Sequence, residues 1–194
     1  MVKSIGKKIN AAVFISGNGT NLNSIIKKSL YKNFPIKVSF VISNNKKAPG
    51  LLYAKNNNIP FKYISSLNMN KFEKYSLKYL SDKKIKILCL AGFMKILSKK
   101  FIKDFKYKIL NIHPSLLPKY KGINTHYKVI KNKDKFSGST VHYVTSKLDS
   151  GKIIMQKKIK VNKTDTVNKL KKKILILEHS LYPKAIIKVI KSYL

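Results

Sequence analysis

The sequence predicts an α/β fold: one domain over residues 1–194, with a mostly parallel sheet, helices on both faces and an antiparallel edge. Three observations predict it. Short apolar, β-like runs alternate with helical patterns through the first two-thirds of the chain, which is the signature of a parallel sheet covered by helices. Two strand-like runs then follow each other with no helix between them, as an antiparallel pair at one side of a sheet would. No period of 20–50 residues recurs, and no Gly/Ser/Pro-rich stretch marks a linker, so the length suits a single domain.

In chain order, residues 9–15, 36–42, 61–64, 85–90 and 108–112 are the apolar runs that read as strands. Residues 21–30, 49–57, 70–82 and 98–105 are the intervening helical patterns. Residues 139–144 and 152–161 are the consecutive strands, joined through Asp149-Ser150-Gly151. The last segment carries Val167, Leu170, Ile174, Leu177 and Leu181 at three- and four-residue spacing, an amphipathic helix for which Thr164-Asp165 offers a cap.

Composition narrows the function classes. With 44% hydrophobic residues the chain can bury a core despite a net charge of +35. That charge raises nucleic-acid binding as a possibility. All 42 basic residues are lysine, however, scattered as singles and short pairs from Lys3 to Lys191. A dedicated base reader usually draws on arginine's planar fork. The joint abundance of Lys, Asn and Ile fits compositional drift, so no specific nucleic-acid partner is expected, only loose attraction to polyanions. Cys89 is the single cysteine and lies in an apolar run, which leaves no disulfide within the chain. The lysines before Ala11 resemble a signal peptide's start, but Gly17-Asn18-Gly19 ends the apolar run too early. No run reaches a membrane span, so the cytoplasm is the expected compartment.

The most informative segment is Asn111-Ile112-His113-Pro114-Ser115-Leu116-Leu117-Pro118. Alternate strand residues share a face, so the Asn111 amide and His113 imidazole emerge side by side. Pro114 has no N–H for a ladder and stops the strand there. An amide donor beside a titratable ring suits oxyanion stabilisation with proton movement. Asp149, within Leu148-Asp149-Ser150-Gly151, adds a carboxylate that could orient the ring. A structural role is the default for an Asn-x-His pair; the Pro-Ser-Leu-Leu-Pro that follows, the spacing to Asp149 and the N-terminal glycine loop overturn it.

Other motifs are less decisive alone. Ser16-Gly17-Asn18-Gly19-Thr20-Asn21 joins a strand to a helix, where unpaired N–H groups could meet an anion. It is neither a Walker loop nor a dinucleotide fingerprint, and by itself reads equally well as a tight turn. Phe93-Met94-Lys95-Ile96-Leu97 reads on spacing alone as core packing. Glu178, one of two glutamates, falls on or beside the buried stripe of the last helix, where it needs a partner. The four histidines, His113, His126, His142 and His179, make no metal-binding spacing, and no metal is expected. His142 reads as a packed histidine near the site, His126 and His179 as structural.

Taken together, Ile15 to Leu22, Leu90 to Leu97, Asn111 to Gly122, Ser139 to Val144 and Leu148 to Gly151 resemble the folate-dependent formyltransferases. The matches run in order from residue 13 to about residue 183 and are highly specific as a set. The resemblance implies a Rossmann-like α/β formyltransferase fold, with the glycine loop, Gly92 to Met94 and Asn111/His113 sharing one crevice at the strand ends. It implies transfer of a formyl group from 10-formyltetrahydrofolate, a co-substrate and not a tightly bound cofactor, to the amine of a phosphoribosyl glycinamide in purine synthesis. Asn111, His113 and Asp149 would be catalytic. Gly19, Thr20 and Asn21 would receive the substrate phosphate, and Glu178 the glycinamide-ribose portion. Met94, Lys95, Ile96 and Leu97, with Asn111 and with Thr145, Ser146, Lys147, Leu148 and Asp149, would line the folate pocket.

Relatives often place an arginine near the folate's glutamate tail. Here the segment is Asn70-Lys71-Phe72-Glu73, with Lys71 the available cation and Phe72 beside it. Relatives that formylate initiator tRNA carry a further C-terminal domain, and those that release formate usually carry an N-terminal regulatory one. Neither is expected here, and the first loop differs from that of the tRNA enzymes. The partners implied are small molecules, with no membrane, and no motif specifies an oligomeric state.

RNA binding should accordingly be weak and steeply salt-dependent, because counterion release supplies it and diffuse lysines give no base readout. Affinity measured at about 50 and about 200 mM salt should collapse over that range. Tight, sequence-selective binding at the higher salt would refute the reading.

Overall fold

The computed structural model describes residues 8–192, so the two ends of the expected 1–194 domain, 1–7 and 193–194, lie outside the described residues. The chain divides into two compact units, Met1–Leu110 and Asn111–Leu194.

The first unit contains β1 (Ile9–Ile15), α1 (Thr20–Ser29), β2 (Ile36–Ser43), α2 (Leu51–Asn56), β3 (Phe61–Tyr63), α3 (Met69–Asp82), β4 (Ile87–Leu90) and α4 (Lys99–Asp104). Its strands run in the order β3-β2-β1-β4, and every pairing between them is parallel. Residues 11–15 of β1 and all of β4 are buried, as expected for strands covered on both faces. Cys89 lies in β4, fully buried. Phe14, Phe72, Phe93 and Phe101 form an aromatic cluster, with ring centroids 5.4–6.2 Å apart. Such edge-on and stacked pairs stabilise beyond their buried area. Glu73 is buried and accepts the backbone N–H of Ser98 at 2.7 Å and its hydroxyl, tying α3 to the start of α4.

Strand β5 (Lys108–His113) leaves the first unit at Leu110 and enters the second at Asn111. The second unit continues with α5 (Thr125–Lys131), β6 (Phe136–Tyr143), β7 (Ile153–Lys160) and α6 (Val167–Lys191). The strand order here is β5-β6-β7, and β6 and β7 form the expected antiparallel edge. Helix α6 packs Leu170, Ile174 and Leu177 with Val129 of α5.

Most of the anticipated elements are present, and β1 has the anticipated bounds. Three differences have physical causes. Helix α5 was not expected; its seven residues, THYKVIK, are too few to establish a 3.6-residue period. Strand β6 begins at Phe136, three residues before the expected start, because Phe136, Ser137 and Gly138 pair with Lys160, Ile159 and Lys158. Helix α6 is capped by Thr166, whose hydroxyl accepts from the Lys169 N–H at 3.2 Å, and not by Thr164-Asp165. Asp165 instead accepts from the Asn162 N–H at 2.9 Å and from Lys173 Nζ at 2.7 Å. The helix also runs through Pro183, an internal proline that removes one ladder bond. Burial of Tyr182, Ala185, Ile186, Val189 and Ile190 carries the helix past it.

Gly19 has φ +66, and a Cβ there would lie 2.6 Å from Gly50 Cα, so the loop after β1 needs glycine for its own packing. Gly19→Ala should destabilise by at least the roughly 1–2 kcal/mol of a left-handed non-glycine residue. Gly17→Ala, with nothing within 4 Å of its Cβ, is the control. Calorimetry should show a clearly lower Tm for the Gly19 variant; equal melting would refute the constraint.

Candidate active site

Strand β5 delivers Asn111 and His113, and Pro114 follows directly, so the strand ends where the proline predicts. His113 is 5% exposed. Its Nδ1 lies 3.3 Å from Asp149 Oδ2, and its Nε2 lies 2.8 Å from the Tyr120 carbonyl oxygen. A carbonyl only accepts, so Nε2 carries the proton of that bond. The Asn111 amide nitrogen is 3.2 Å from His142 Nε2. His142 Nδ1 is 2.8 Å from the Tyr143 carbonyl and therefore donates to it, which leaves Nε2 to accept from the Asn111 amide. His142 Nε2 is also 3.6 Å from Asp149 Oδ1. The three expected residues thus meet within the second unit, together with His142, which accepts from Asn111 and lies beside Asp149 and so is more than a packed neighbour.

Asp149 sits in the β6–β7 connection with φ 45, a left-handed conformation that aspartate tolerates better than most residues. Two residues later, a Cβ on Gly151 would run into the Tyr143 carbonyl, so this turn closes only with glycine there. The carboxylate accepts the Gly122 N–H at 2.8 Å. Burial pushes the Asp149 carboxyl up, but the His142 contact, the Gly122 N–H and the field of the two imidazoles outweigh it and hold it below the usual range. Asp149 is therefore ionised at neutral pH.

His113 is pulled both ways. Burial pushes its pKa down, the Tyr120 carbonyl and Asp149 pull it up, and His142 and Lys128 push it down again. The net direction is below the ordinary value of 6.5. Desolvation wins, and the ring is neutral near pH 7. Protonation would let both nitrogens donate, one to Tyr120 and one to Asp149, so the surroundings are ready for a proton the ring does not hold at rest.

Glu178 is buried on α6 with Oε1 3.3 Å from the Ser139 hydroxyl, which makes its shorter bond, 2.8 Å, to the His113 carbonyl. The expected carboxylate therefore stands one hydroxyl from the backbone of His113. Thr145, Ser146, Lys147 and Leu148 form an exposed loop ahead of Asp149. In the first unit, the Ser16 hydroxyl accepts the Met94 N–H at 2.8 Å, and Ser16 N–H donates to the Gly92 carbonyl at 3.1 Å. The glycine loop and the segment after β4 are thereby joined. Helix α1 begins at Thr20 with Gly19 as its cap residue and no side-chain cap, unlike α3, α4 and α6. Asn21 is buried and Thr20 half-buried.

Met94, Lys95 and Ile96 are exposed, whereas Leu97 is buried. Phe72 is 0% exposed within the aromatic cluster. Its ring belongs to the core, whereas Lys71 beside it is exposed. Tyr120 and Gly122 act through backbone groups, which side-chain chemistry does not advertise; the only signal was their place at the end of the Asn111 to Gly122 motif. Among the described residues no cluster of three or more His, Cys, Asp or Glu could hold a metal ion, and no helix is long and apolar enough to cross a membrane.

Because the fold resists a proton on His113 that the unfolded chain accepts near pH 6.5, this group contributes stability above that pH that is lost on acidification. His126, lowered by burial, adds the same sign. Asp149, depressed in the fold, adds stability that is lost at lower pH still, as pH falls through its folded pKa. Tm should therefore drop between about pH 7.5 and about pH 5.5, and His113→Gln should flatten the slope. An equal or steeper slope in the variant would contradict the assignment.

The profile of the formyl transferase family matches residues 9–186. The chain is 41% identical to the phosphoribosylglycinamide formyltransferase of Haemophilus influenzae over 180 residues, 91% of this chain and 84% of that one. It is 38% identical to the human trifunctional purine biosynthetic protein adenosine-3 over 93% of its own length, but spans only 18% of that relative. The crystal structure of phosphoribosylglycinamide formyltransferase from Anaplasma phagocytophilum superposes with a TM-score of 0.88 at 40% identity, covering 93% of this chain and 85% of that one.

Proposed function

The chain belongs to the formyl transferase family, and from that premise we propose that it transfers a formyl group from 10-formyltetrahydrofolate to the amine of N1-(5-phospho-D-ribosyl)glycinamide. The product is the N-formyl compound of de novo purine synthesis, made in the cytoplasm by residues 1–194 acting as one formyltransferase domain. The observation that carries the reading is the cluster of half-buried Asn111 with buried His113 and Asp149 at the end of a strand. It offers an amide donor, a neutral base and a fixed anion together.

The amine attacks the formyl carbon, a new C–N bond forms, and the carbonyl oxygen becomes an oxyanion. An amide has two N–H groups, and Asn111 commits one to His142; the other is the donor for the oxyanion. The attacking nitrogen then loses a proton, taken by His113 directly or through an ordered water. A neutral imidazole, kept so by burial and faced by a fixed carboxylate, suits this step. The imidazolium that results donates to both Tyr120 and Asp149, which stabilises the charge as it develops. Collapse of the intermediate breaks the bond to the folate nitrogen N10, and the proton passes to that leaving nitrogen. No covalent enzyme intermediate is required, because holding the two substrates together supplies much of the acceleration.

The uncapped N-terminus of α1 supports Gly19, Thr20 and Asn21 as the phosphate subsite, since its first-turn N–H groups favour an anion. Glu178 takes the glycinamide-ribose portion. The exposed Met94 to Ile96 with Leu97, and Thr145 to Leu148, provide the folate contacts, and Lys71 the charge for its glutamate tail.

Purified protein with 10-formyltetrahydrofolate should lose formyl rapidly with ribosyl glycinamide, and not with initiator tRNA or water alone. Faster transfer to tRNA or water would replace the reading. Asn111→Ala should lower kcat by roughly 10²–10³-fold, the usual cost of one oxyanion donor. A folded Asn111 variant with near-normal turnover would remove that residue from the chemistry.

A further inference from the structure

The segment between β5 and α5 holds both members of the His113–Asp149 pair through its backbone. The Tyr120 carbonyl accepts from His113 Nε2 at 2.8 Å, and two residues on the Gly122 N–H donates to Asp149 Oδ2, also at 2.8 Å. This strap is not in a relaxed conformation. Tyr120 has φ 56 and Gly122 φ 77. A left-handed conformation is uncommon for an aromatic residue and persists only where surrounding contacts over-determine it.

Those contacts come from the Tyr120 side chain. Its ring packs against the Val129, Leu170, Ile174 and Leu177 cluster. Its hydroxyl donates to Asp134 Oδ2 at 2.8 Å and accepts from the Asn132 amide at 2.7 Å. Lys119 bonds the other Asp134 oxygen at 2.7 Å and lies 5.0 Å from the centre of the Tyr120 ring. Asp134 stands in the connection from α5 to β6, its own N–H bonded to the Val129 carbonyl at 3.1 Å. The strap is thus fastened on its far side to the turn after α5, and on its near side to the acid–base pair.

We propose that Tyr120 and Asp134 are positioning residues for the transfer: their phenol–carboxylate bond fixes the strap, and the strap fixes the orientation of His113 and Asp149. The inference rests on the function proposed above for the site. It assigns no substrate contact to either residue. Lys119 and Asp134 neutralise each other, so the influence travels through the Tyr120 carbonyl and Gly122 N–H and not through a field. The groups that do act electrostatically on His113 are Asp149, His142 and Lys128, with His126 also coupled to it.

Tyr120→Phe keeps the ring and its packing and deletes only the hydroxyl; Asp134→Asn keeps size and a hydrogen-bonding group. Each should lower kcat roughly tenfold, the equivalent of one net hydrogen bond in the transition state, while KM for both substrates changes little. In the ligand-free protein the His113 titration followed by NMR should move to lower pH in both variants, because a loosened strap withdraws the carbonyl that favours the charged ring. The acidic limb of the kcat profile should move in the same direction. A lower Tm with unchanged His113 titration and pH profile in either folded variant would reduce the pair to a purely structural role and overturn the proposal. The titration needs no substrate. If the wild-type protein fails to formylate ribosyl glycinamide, the proposed function falls, and the link from strap to His113 is still decided separately.

Discussion

A carboxylate taken out of water must be repaid by donors, and in the second unit that demand falls on Asp149. Burying an ion without partners costs several kcal/mol or more. Here the resting donor is the Gly122 N–H of the loop after β5, while the rings of His113 from β5 and His142 from β6 stand 3.3 and 3.6 Å from the carboxylate, where a proton on His113 would add a second donor. Each must arrive at the right place for the others to be useful. Strand β5 must end at His113, the β6–β7 turn must accept a left-handed Asp149, and Gly151 must leave room for the Tyr143 carbonyl. The polar cluster therefore specifies the local backbone as much as the backbone positions the cluster.

The same economy explains the protonation state. Two acceptors face the His113 ring, which invites a second proton, while burial opposes the charge that proton would bring. Desolvation prevails at rest. In the proposed reaction the balance would change, because a proton arriving from the substrate would find acceptors already aligned and no reorganisation left to do. His142 serves the arrangement differently. By donating from Nδ1 to the Tyr143 carbonyl it keeps Nε2 as an acceptor, which orients the Asn111 amide. The side chain proposed to meet the oxyanion is thereby held by the neighbouring ring.

The first unit shows the complementary use of backbone. Gly19 fits tightly against Gly50, and the helix after it opens without a side-chain cap. Ser16 binds the Met94 N–H and Glu73 binds Ser98, so the segment between β4 and α4 is fastened at both ends while Met94 to Ile96 face outward. The lysine excess contributes little to this design. It shapes the solvent-facing surface, and the ion pairs it forms there, such as Lys100–Asp104, are of the kind that add little stability.

By itself the sequence determined the alternation of strands and helices, the antiparallel edge, the end of β5 at Pro114 and the emergence of Asn111 and His113 on one face. These follow from periodicity and from proline's missing N–H, both local properties of the chain. The family was equally legible, because its motifs are short and ordered. Only the tertiary structure decided that Phe72 belongs to the aromatic core, that α6 continues through Pro183, and that Thr166 caps it. The first two depend on burial against other parts of the chain, and the third on Asp165 being engaged by Asn162 and Lys173 instead. The tertiary structure also decided the charge of His113 and the parts played by Tyr120, Gly122 and His142. Two of these act through backbone groups, which have no residue type to read. The charge is a difference between desolvation and hydrogen bonding, and neither quantity exists until the chain has folded around the ring.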